Sequence, residues 1–397
     1  MTRILNGYAI YGDSEHQNIM QTEIELKQSI DKETMEQAFR AALEQATLIN
    51  VRLAWKGNCL YFVENHSVFY LSDEDRITLG ENNGGFLLSA CAHGKKLTIA
   101  SVHALADGVL LFPFIRLVLM NYLGLLGECI FDKQIAHLAS RLSGDMTGEG
   151  MLLEKLQEIR ISEEKIQKCF RLSALEGGNE QEYKVITLGL DAGKMSTSKI
   201  SQVAQIIRKQ INKLNIDGTP ISCSLVYDMR SRLKISEPLH ECYSFISIPF
   251  EDGEFEDKWK QLEFDGKMSE NMARELPIWL KLSSEDMFPE SKRRLCNRIS
   301  RKQEQYQDTF SISNIAFTNK LDRLNNYIES ISTCIAVGSR DMLLEMNQLG
   351  DTICLSVSYI RVAESVVSAF IDEMRQLDIL KFEKTVKPIA VSMTLPN

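Results

Sequence analysis

The sequence predicts an α/β fold of layered α+β character: two domains, each a mixed, largely antiparallel sheet flanked by helices. Three observations predict it. A chain of 397 residues is too long for one ordinary core, so two units of roughly 200 residues are expected. Strand-like and helix-like segments are mixed irregularly and hairpins are frequent, which favours mixed or antiparallel sheets in layers. Strand, helix, strand opens both halves, an echo in the order of elements and not in the letters.

The elements follow in order. Ile19–Leu26 is an extended run in which Met20 and Ile24 alternate with polar neighbours, as in a half-buried strand. Ser29 to Asp31 then cap a helix whose Met35, Phe39, Ala42 and Leu43 share one face at helical spacing. Asn50–Trp55 and Cys59–Val63 read as a hairpin closed by Gly57-Asn58, a turn-forming pair. Gly85–Cys91 and Lys96–Val102 read as strands turning at His93-Gly94, and Val109–Leu126 as a helix. Segment 143–180 is charged, holds Gly148, Gly150, Gly177 and Gly178, and carries a helical pattern in its middle. It is expected to bridge the domains. Beyond it come a strand (Tyr183–Leu190), a helix (Met195–Lys213) and a strand (Pro220–Tyr227). Segment 251–275, rich in Glu and Asp, reads as a mobile surface loop. A hairpin, Met342–Met346 against Thr352–Tyr359, and an amphipathic helix, Ala363–Leu377, end the chain. The expected domains are 1–145 and 183–397, with 146–182 between them.

Composition excludes several classes. At 44% hydrophobic and 25% charged the chain is close to an average globular protein and far from a disordered one. The 8 prolines leave no room for a proline-rich linker. A net charge of −9 lacks the basic footprint of a nucleic-acid binder, so no nucleic-acid partner is expected. The 9 cysteines are scattered, with no C-x-x-C pair and no His/Cys cluster at zinc spacing, so no metal is indicated. Most lie in apolar runs, as reduced, buried thiols do. Residues 1–17 lack the apolar core of a signal peptide. The most apolar stretch, Val109–Ile130, contains Arg116, Asn121 and Glu128 and reads as a buried helix, not a membrane span. A soluble, cytoplasmic protein is the expectation.

One constellation carries chemistry: His103-Ala104-Leu105-Ala106-Asp107-Gly108. It stands where a strand (Leu97–Val102) gives way to a helix, a place where side chains face a cleft. Histidine titrates nearest neutrality, so it takes a proton from a hydroxyl or amine at working pH. Asp107 is placed to hold the turn by pairing with a cation or backbone amides, and Gly108 permits a close backbone approach. The same residues also fit a structural histidine followed by an aspartate that N-caps the next helix.

The run resembles the motif of the CoA-dependent acyltransferase superfamily. That superfamily includes chloramphenicol acetyltransferase, alcohol acetyltransferases, the plant BAHD enzymes and the condensation domains of peptide synthetases. Its motif is H-H-x-x-x-D-G, the second histidine being catalytic. Here Val102 stands at the first histidine, and His103, Asp107 and Gly108 match the rest. Gln21 to Trp55 resembles the superfamily's opening unit. Tyr227-Asp228-Met229-Arg230-Ser231-Arg232-Leu233 resembles its D-x-R-x-R-L segment. Phe310-Ser311-Ile312-Ser313-Asn314-Ile315 resembles its S-N-hydrophobic strand, with Ala316 in place of the usual glycine.

The resemblance covers nearly the whole chain. It implies two chloramphenicol acetyltransferase-like domains with an active-site tunnel along their interface. His103 would be the general base, and the acceptor a small alcohol or amine. The donor would be a thioester, acyl-CoA or an acyl carrier protein, consumed as a substrate, with no permanently bound cofactor. Asp107 would be structural, turned from the substrate and paired with Arg230 or Arg232. Ser313 and Asn314 are candidates for an oxyanion donor or tunnel lining, and strand-edge hydrogen bonding accounts for them equally. Val102 and Ala316 leave open a non-catalytic, condensation-like binding or interaction module.

The basic run Lys292, Arg293, Arg294, Arg298, Arg301 and Lys302 fits either the solvated face of a helix or a site for donor phosphates. For the second role Arg294, Arg298 and Arg301 are the candidates. His93 and His240 read as ordinary surface or turn residues, and Phe112, Ile115, Leu119 and Leu123 as core.

Overall fold

The computed structural model describes residues 2–4, 10, 19–72, 76–128, 131–145, 147–162, 168–174, 183–196, 198–250, 255–264, 266–303, 308–320, 322–335 and 341–396, with backbone alone for 2–3, 174, 256–257, 262–264 and 300–303. Gly177, Gly178 and residues 251–254 therefore lie outside the described residues, as does the side chain of Arg301.

The first half runs β1 (Thr2–Arg3), β2 (Ile19–Leu26), α1 (Lys32–Gln45), β3 (Val51–Lys56), β4 (Cys59–Glu64), β5 (Arg76–Gly80), β6 (Leu88–His93), β7 (Lys96–Val102), α2 (Gly108–Leu125) and α3 (Asp132–Arg141). Local chemistry sets these elements. Asp31 Oδ1 accepts the Thr34 N–H at 2.8 Å and starts α1, which buries Met35, Phe39, Ala42 and Leu43. Gly57 takes a φ of +59° at the β3–β4 turn, a conformation open to glycine. Helix α2 is long and apolar enough to cross a membrane, but most of its surface is packed inside the protein, as an all-round apolar core helix is.

After α4 (Gly148–Glu158), the second half runs β8 (Tyr183–Asp191), α5 (Lys199–Asn212), β9 (Ser222–Asp228), the short turn α6 (Arg230–Leu233), β10 (Tyr243–Pro249), α7 (Phe255–Phe264), α8 (Lys267–Leu282), α9 (Pro289–Gln303), β11 (Phe310–Ala316), β12 (Ile328–Ile335), β13 (Met342–Leu349), β14 (Thr352–Ile360), α10 (Glu364–Gln376), β15 (Leu380–Val386) and β16 (Ala390–Thr394). Segment 251–275, read from its charge as a loop, is largely helical. Met268, Met272, Leu276 and Trp279 recur at helical spacing and are buried, and that apolar stripe is what orders α8. Helix α3 had no counterpart among the expected elements.

A seven-stranded sheet has the order β10-β9-β11-β13-β14-β8-β15, and a four-stranded sheet the order β12-β2-β7-β6. Strand β11 is parallel to β9 and β13, while the other pairs in both sheets are antiparallel. Two strands cross the boundary expected at 146–182. β12 pairs with β2, Thr333 opposite Thr22, and β16 runs parallel to β5. Two sheets of the first half are therefore completed by strands from the second.

The large sheet has two unlike faces. Leu188, Leu225, Ile246, Ile312, Leu344 and Leu355 form the outer one, packed with α5, α8 and α10. Side chains alternate along a strand, so the inner face carries Ser224, Ser311, Ser313, Glu345, Asn347 and Ser356. This face looks toward the first half: Asn347 Nδ2 donates to Thr333 Oγ1 at 3.1 Å, and the Thr333 N–H donates to Ser356 Oγ at 3.0 Å. All described cysteines are free thiols, and all but Cys169 are buried.

The stretch at Arg171–Leu172 is fastened by a charge. Asp341, at the foot of β13, is fully buried and accepts from Arg171 Nε and Nη2 at 3.1 and 3.0 Å and from the Leu172 N–H at 2.6 Å. Removing that carboxylate strands a largely buried guanidinium. Asp341→Ala should lower stability by roughly 3–5 kcal/mol, read as a shift of the urea unfolding midpoint at unchanged slope.

Candidate active site

Strand β7 ends at Val102, the chain makes one tight turn over His103–Leu105, and α2 begins at Gly108. Asp107 is its N-cap. Its Oδ1 accepts the N–H groups of Val109 and Leu110 at 3.1 and 3.3 Å. Its Oδ2 reaches into the second half and accepts from Arg230 Nη1 at 2.8 Å and the Cys242 N–H at 3.0 Å. Arg230 also donates to Asp228 Oδ1 and the Leu239 carbonyl, both at 2.8 Å. Arg232, on the same turn, is exposed. At Gly108 a Cβ would stand 2.1 Å from Ile315 Cδ1, so β11 runs directly against the motif.

Segment 239–243 is thereby laid on the turn from the other side. The Asp107 N–H donates to the His240 carbonyl at 3.1 Å. His240, read from the sequence as a surface residue, is 3% exposed. Its ring lies 4.2 Å from that of Phe62 between centroids. His240 Nδ1 is 2.6 Å from the Leu105 carbonyl; a carbonyl only accepts, so Nδ1 carries the proton. Burial pushes its pKa down to about 4, and the ring is neutral at working pH.

The neighbouring residue of that segment meets the motif histidine. His103 Nδ1 lies 2.8 Å from Glu241 Oε1, both groups nearly enclosed, and the Tyr243 ring centroid is 5.2 Å from that of His103. Burial alone would lower the histidine's pKa. The hydrogen bond and charge of Glu241 overcome it, helped by Asp107 and Glu345, so the pKa is raised. Glu149, in the first turn of α4, is pushed up to about 8 by burial and by the charge of Glu241.

The other candidates separate. Ser313 is buried on the inner sheet face and pairs in register with Glu345. Asn314, the next residue, points to the opposite side and is exposed. Arg294 is exposed and paired with Glu290, and Arg298 is exposed. Lys292 does not belong to an open basic face: it is buried, its Nζ donating to the Asn58 carbonyl at 2.6 Å, which docks α9 on the β3–β4 turn.

Sequence reasoning missed Glu241, Glu149, Tyr243 and Glu345. Glu345 and Asn347 had a readable signal, polar residues at period two inside the apolar run Met342-Leu343-Leu344-Glu345-Met346-Asn347. Glu241 had none, because it meets His103 across 138 positions.

A folded-state pKa raised from 4.5 to about 8 means the native protein holds a proton on Glu149 that the unfolded chain has released. That carboxyl therefore costs no stability below pH 4.5 and an increasing amount as pH climbs toward 8. Glu149→Gln should raise the melting temperature over the wild type at pH 8 and leave it unchanged at pH 4.5, in paired thermal melts.

No family model matches the chain, and no curated protein matches it in sequence. Solved structures do. Polyketide synthase associated protein 5 from Mycobacterium tuberculosis is similar at a TM-score of 0.57 and 13% identity, over 94% of this chain and 97% of its own. The Fusarium sporotrichioides protein TRI101, solved with coenzyme A and T-2, is similar at 0.55 and 10% identity, over 96% and 98%. The starter condensation domain of rhizomide synthetase RzmA, a point mutant solved in complex with C8-CoA, is similar at 0.54 and 12% identity, over 92% and 90%. The chain shares the fold of these structures, a mixed α/β arrangement of sheets flanked by helices.

Proposed function

We propose that this protein is an acyltransferase that moves an acyl group from a thioester to a hydroxyl or amine, with His103 as general base. The observation that carries the proposal is the contact of His103 Nδ1 with Glu241 at 2.8 Å, at the junction of the two halves. A carboxylate only accepts, so Nδ1 keeps its proton and Nε2 is left as the basic nitrogen. Structural neighbours solved with CoA or C8-CoA support a CoA-type thioester as donor; a thioester on a carrier protein offers the same carbonyl.

The steps follow from that tautomer. Nε2 takes the proton of the acceptor O–H or N–H as its heavy atom attacks the thioester carbonyl. Charge moves onto the carbonyl oxygen, where Ser313 Oγ, buried on the sheet face below, is the proposed donor. One such donor is worth roughly 2.7–4 kcal/mol of barrier. When the C–S bond breaks, the imidazolium returns the proton to the leaving thiolate. Glu241 stabilises the imidazolium between those two transfers. Asp107 and Arg230 take no proton; they hold the turn.

The test is release of free thiol from acyl-CoA thioesters in the presence of alcohols and amines. His103→Ala should lower kcat/KM by roughly 10²–10⁴-fold in protein that still shows a cooperative thermal melt. Thiol release that is insensitive to this change would remove His103 from the reaction. Because Glu241 raises the pKa of His103 and the neutral ring is the active form, the wild-type acid limb should lie above pH 6.5. Glu241→Gln should move that limb to lower pH and cut the plateau by roughly 10²-fold or more. An unmoved limb would deny Glu241 its role.

A further inference from the structure

Strand β10 is an edge of the seven-stranded sheet, and its first residue, Tyr243, touches the ring of His103. One face of the strand is committed to α8. Ser244 Oγ donates to the Met268 carbonyl at 2.7 Å, and Ile246 is buried in the outer core. Asn271 Nδ2 of the same helix donates to the Phe245 carbonyl at 2.8 Å, so the backbone is held as well. Side chains alternate along a strand, so Tyr243, Phe245 and Ser247 are turned to the inner face.

On that face Phe245 stands opposite Val226 of β9, and Ser247 opposite Ser224. Residues directly opposed in an antiparallel pair project to the same side. A strip therefore starts at Tyr243, whose ring centroid is 5.2 Å from that of His103. It continues one pleat on, about 7 Å away, with Phe245 and Val226. Phe245 is 39% exposed. Tyr243 and Val226 are half-buried, and Val226 packs into none of the hydrophobic cores of the described residues. Asp228, opposite Tyr243, is engaged by Arg230. Farther across the sheet Ser311, Ser313 and Glu345 are polar but buried. The strip also has an end: Ser247 is exposed, and its hydroxyl donates to Asp308.

Apolar side chains left accessible on a fixed strand gain free energy when an apolar group covers them. Position selects the group. In the reaction above the thioester carbonyl oxygen is bonded by Ser313 Oγ. Ser313 lies two residues beyond Ser311 as Val226 lies two beyond Ser224, and Ser311 and Ser224 are register partners. The carbonyl and the strip thus share one face of the sheet and one level along it. The chain joined to that carbonyl carbon lies along the sheet, while the acceptor comes to the carbonyl from the side of His103 Nε2.

We infer that Tyr243, Val226 and Phe245 receive the acyl chain of the thioester, and that this chain is a medium-length hydrocarbon of the octanoyl class. Tyr243 to Ser247 spans about 13 Å, longer than an extended octanoyl chain and shorter than an extended palmitoyl chain. Carbons beyond that length pass Ser247 and Asp308 and return to water. This inference rests on the acyl-transfer reading above and names its acyl group.

Isothermal titration calorimetry compares acetyl-, octanoyl- and palmitoyl-CoA, the last kept below its micelle-forming concentration, on the wild type and Phe245→Ala. Octanoyl-CoA should bind the wild type at least about tenfold tighter than acetyl-CoA, as burial of a few methylenes gives. Palmitoyl-CoA should gain less than about threefold more, because the added carbons stay hydrated. Phe245→Ala should lower the octanoyl-to-acetyl ratio about fivefold or more. Equal wild-type affinities for acetyl- and octanoyl-CoA, or a ratio untouched by Phe245→Ala, would overturn the inference. Thiol release tells the acyl chain from an apolar acceptor on the same strip. Phe245→Ala should lower kcat/KM more for octanoyl-CoA with ethanol than for acetyl-CoA with octanol. The reverse pattern would give the strip to the acceptor and overturn the inference while acyl transfer stands. If no pair releases thiol, an octanoyl ratio that depends on Phe245 supports the chain site while acyl transfer fails.

Discussion

The carboxylate of Asp107 belongs to both halves of the molecule at once. One oxygen caps α2 and the other accepts from Arg230 and the Cys242 amide, so nearly every lone pair of a buried charge is used. An ion pair this enclosed adds little net stability over an apolar contact of the same shape, but losing either member leaves a charge in low dielectric. Its value is therefore geometric. Segment 239–243 is held to the turn after β7, and that places Glu241 against His103 and His240 beneath Leu105. A side chain that never takes part in chemistry fixes the position of the one that does.

The electrostatics around His103 come from the same arrangement. Acidic groups from the N-cap of α2, segment 239–243 and β13 act on one imidazole, and Glu149 of α4 lies in the field of one of them, Glu241. Two of the groups respond in the same direction, each holding its proton more tightly, but with opposite effect on charge: the histidine is made more basic, while Glu149 is kept neutral by its burial and its proximity to Glu241. The site thus limits its own accumulated charge by leaving one carboxyl neutral, which is how clustered carboxylates commonly resolve their repulsion.

Much of the architecture is legible in the sequence because local signals carry it. The cap at Asp31, the turn at Gly57 and the periodicities of β2, α1, β13 and β14 need only near neighbours. The motif His103 to Gly108 and the arginine at 230 are likewise readable as letters. What escapes is set by distance or by sign. Charge density in 251–275 hides an amphipathic helix, since one buried stripe of Met268, Met272 and Leu276 is enough to order it. His240 and Lys292 are polar letters whose burial depends on partners far along the chain. The alternating serines of β9, β11 and β14 look like ordinary outward-facing strand positions; only the stacking of one sheet on the other half turns them inward.

The late arrival of β12 has a consequence for how the chain reaches this structure. As residues emerge in order, β2 pairs with β7, but its other side has no partner until β12, which begins only at Ile328, has been made. During that interval β2 is an open strand edge with free amides and carbonyls, the kind of surface that pairs with a second chain when nothing covers it. Its flank is guarded by the letters it carries. Glu23 and Glu25 stand on β2, where Lys384 later meets them; before it arrives they are two carboxylates along the edge, offset only by Lys96 of β7. The same carboxylates that finally fasten β15 to β2 would keep one nascent copy from adding to another.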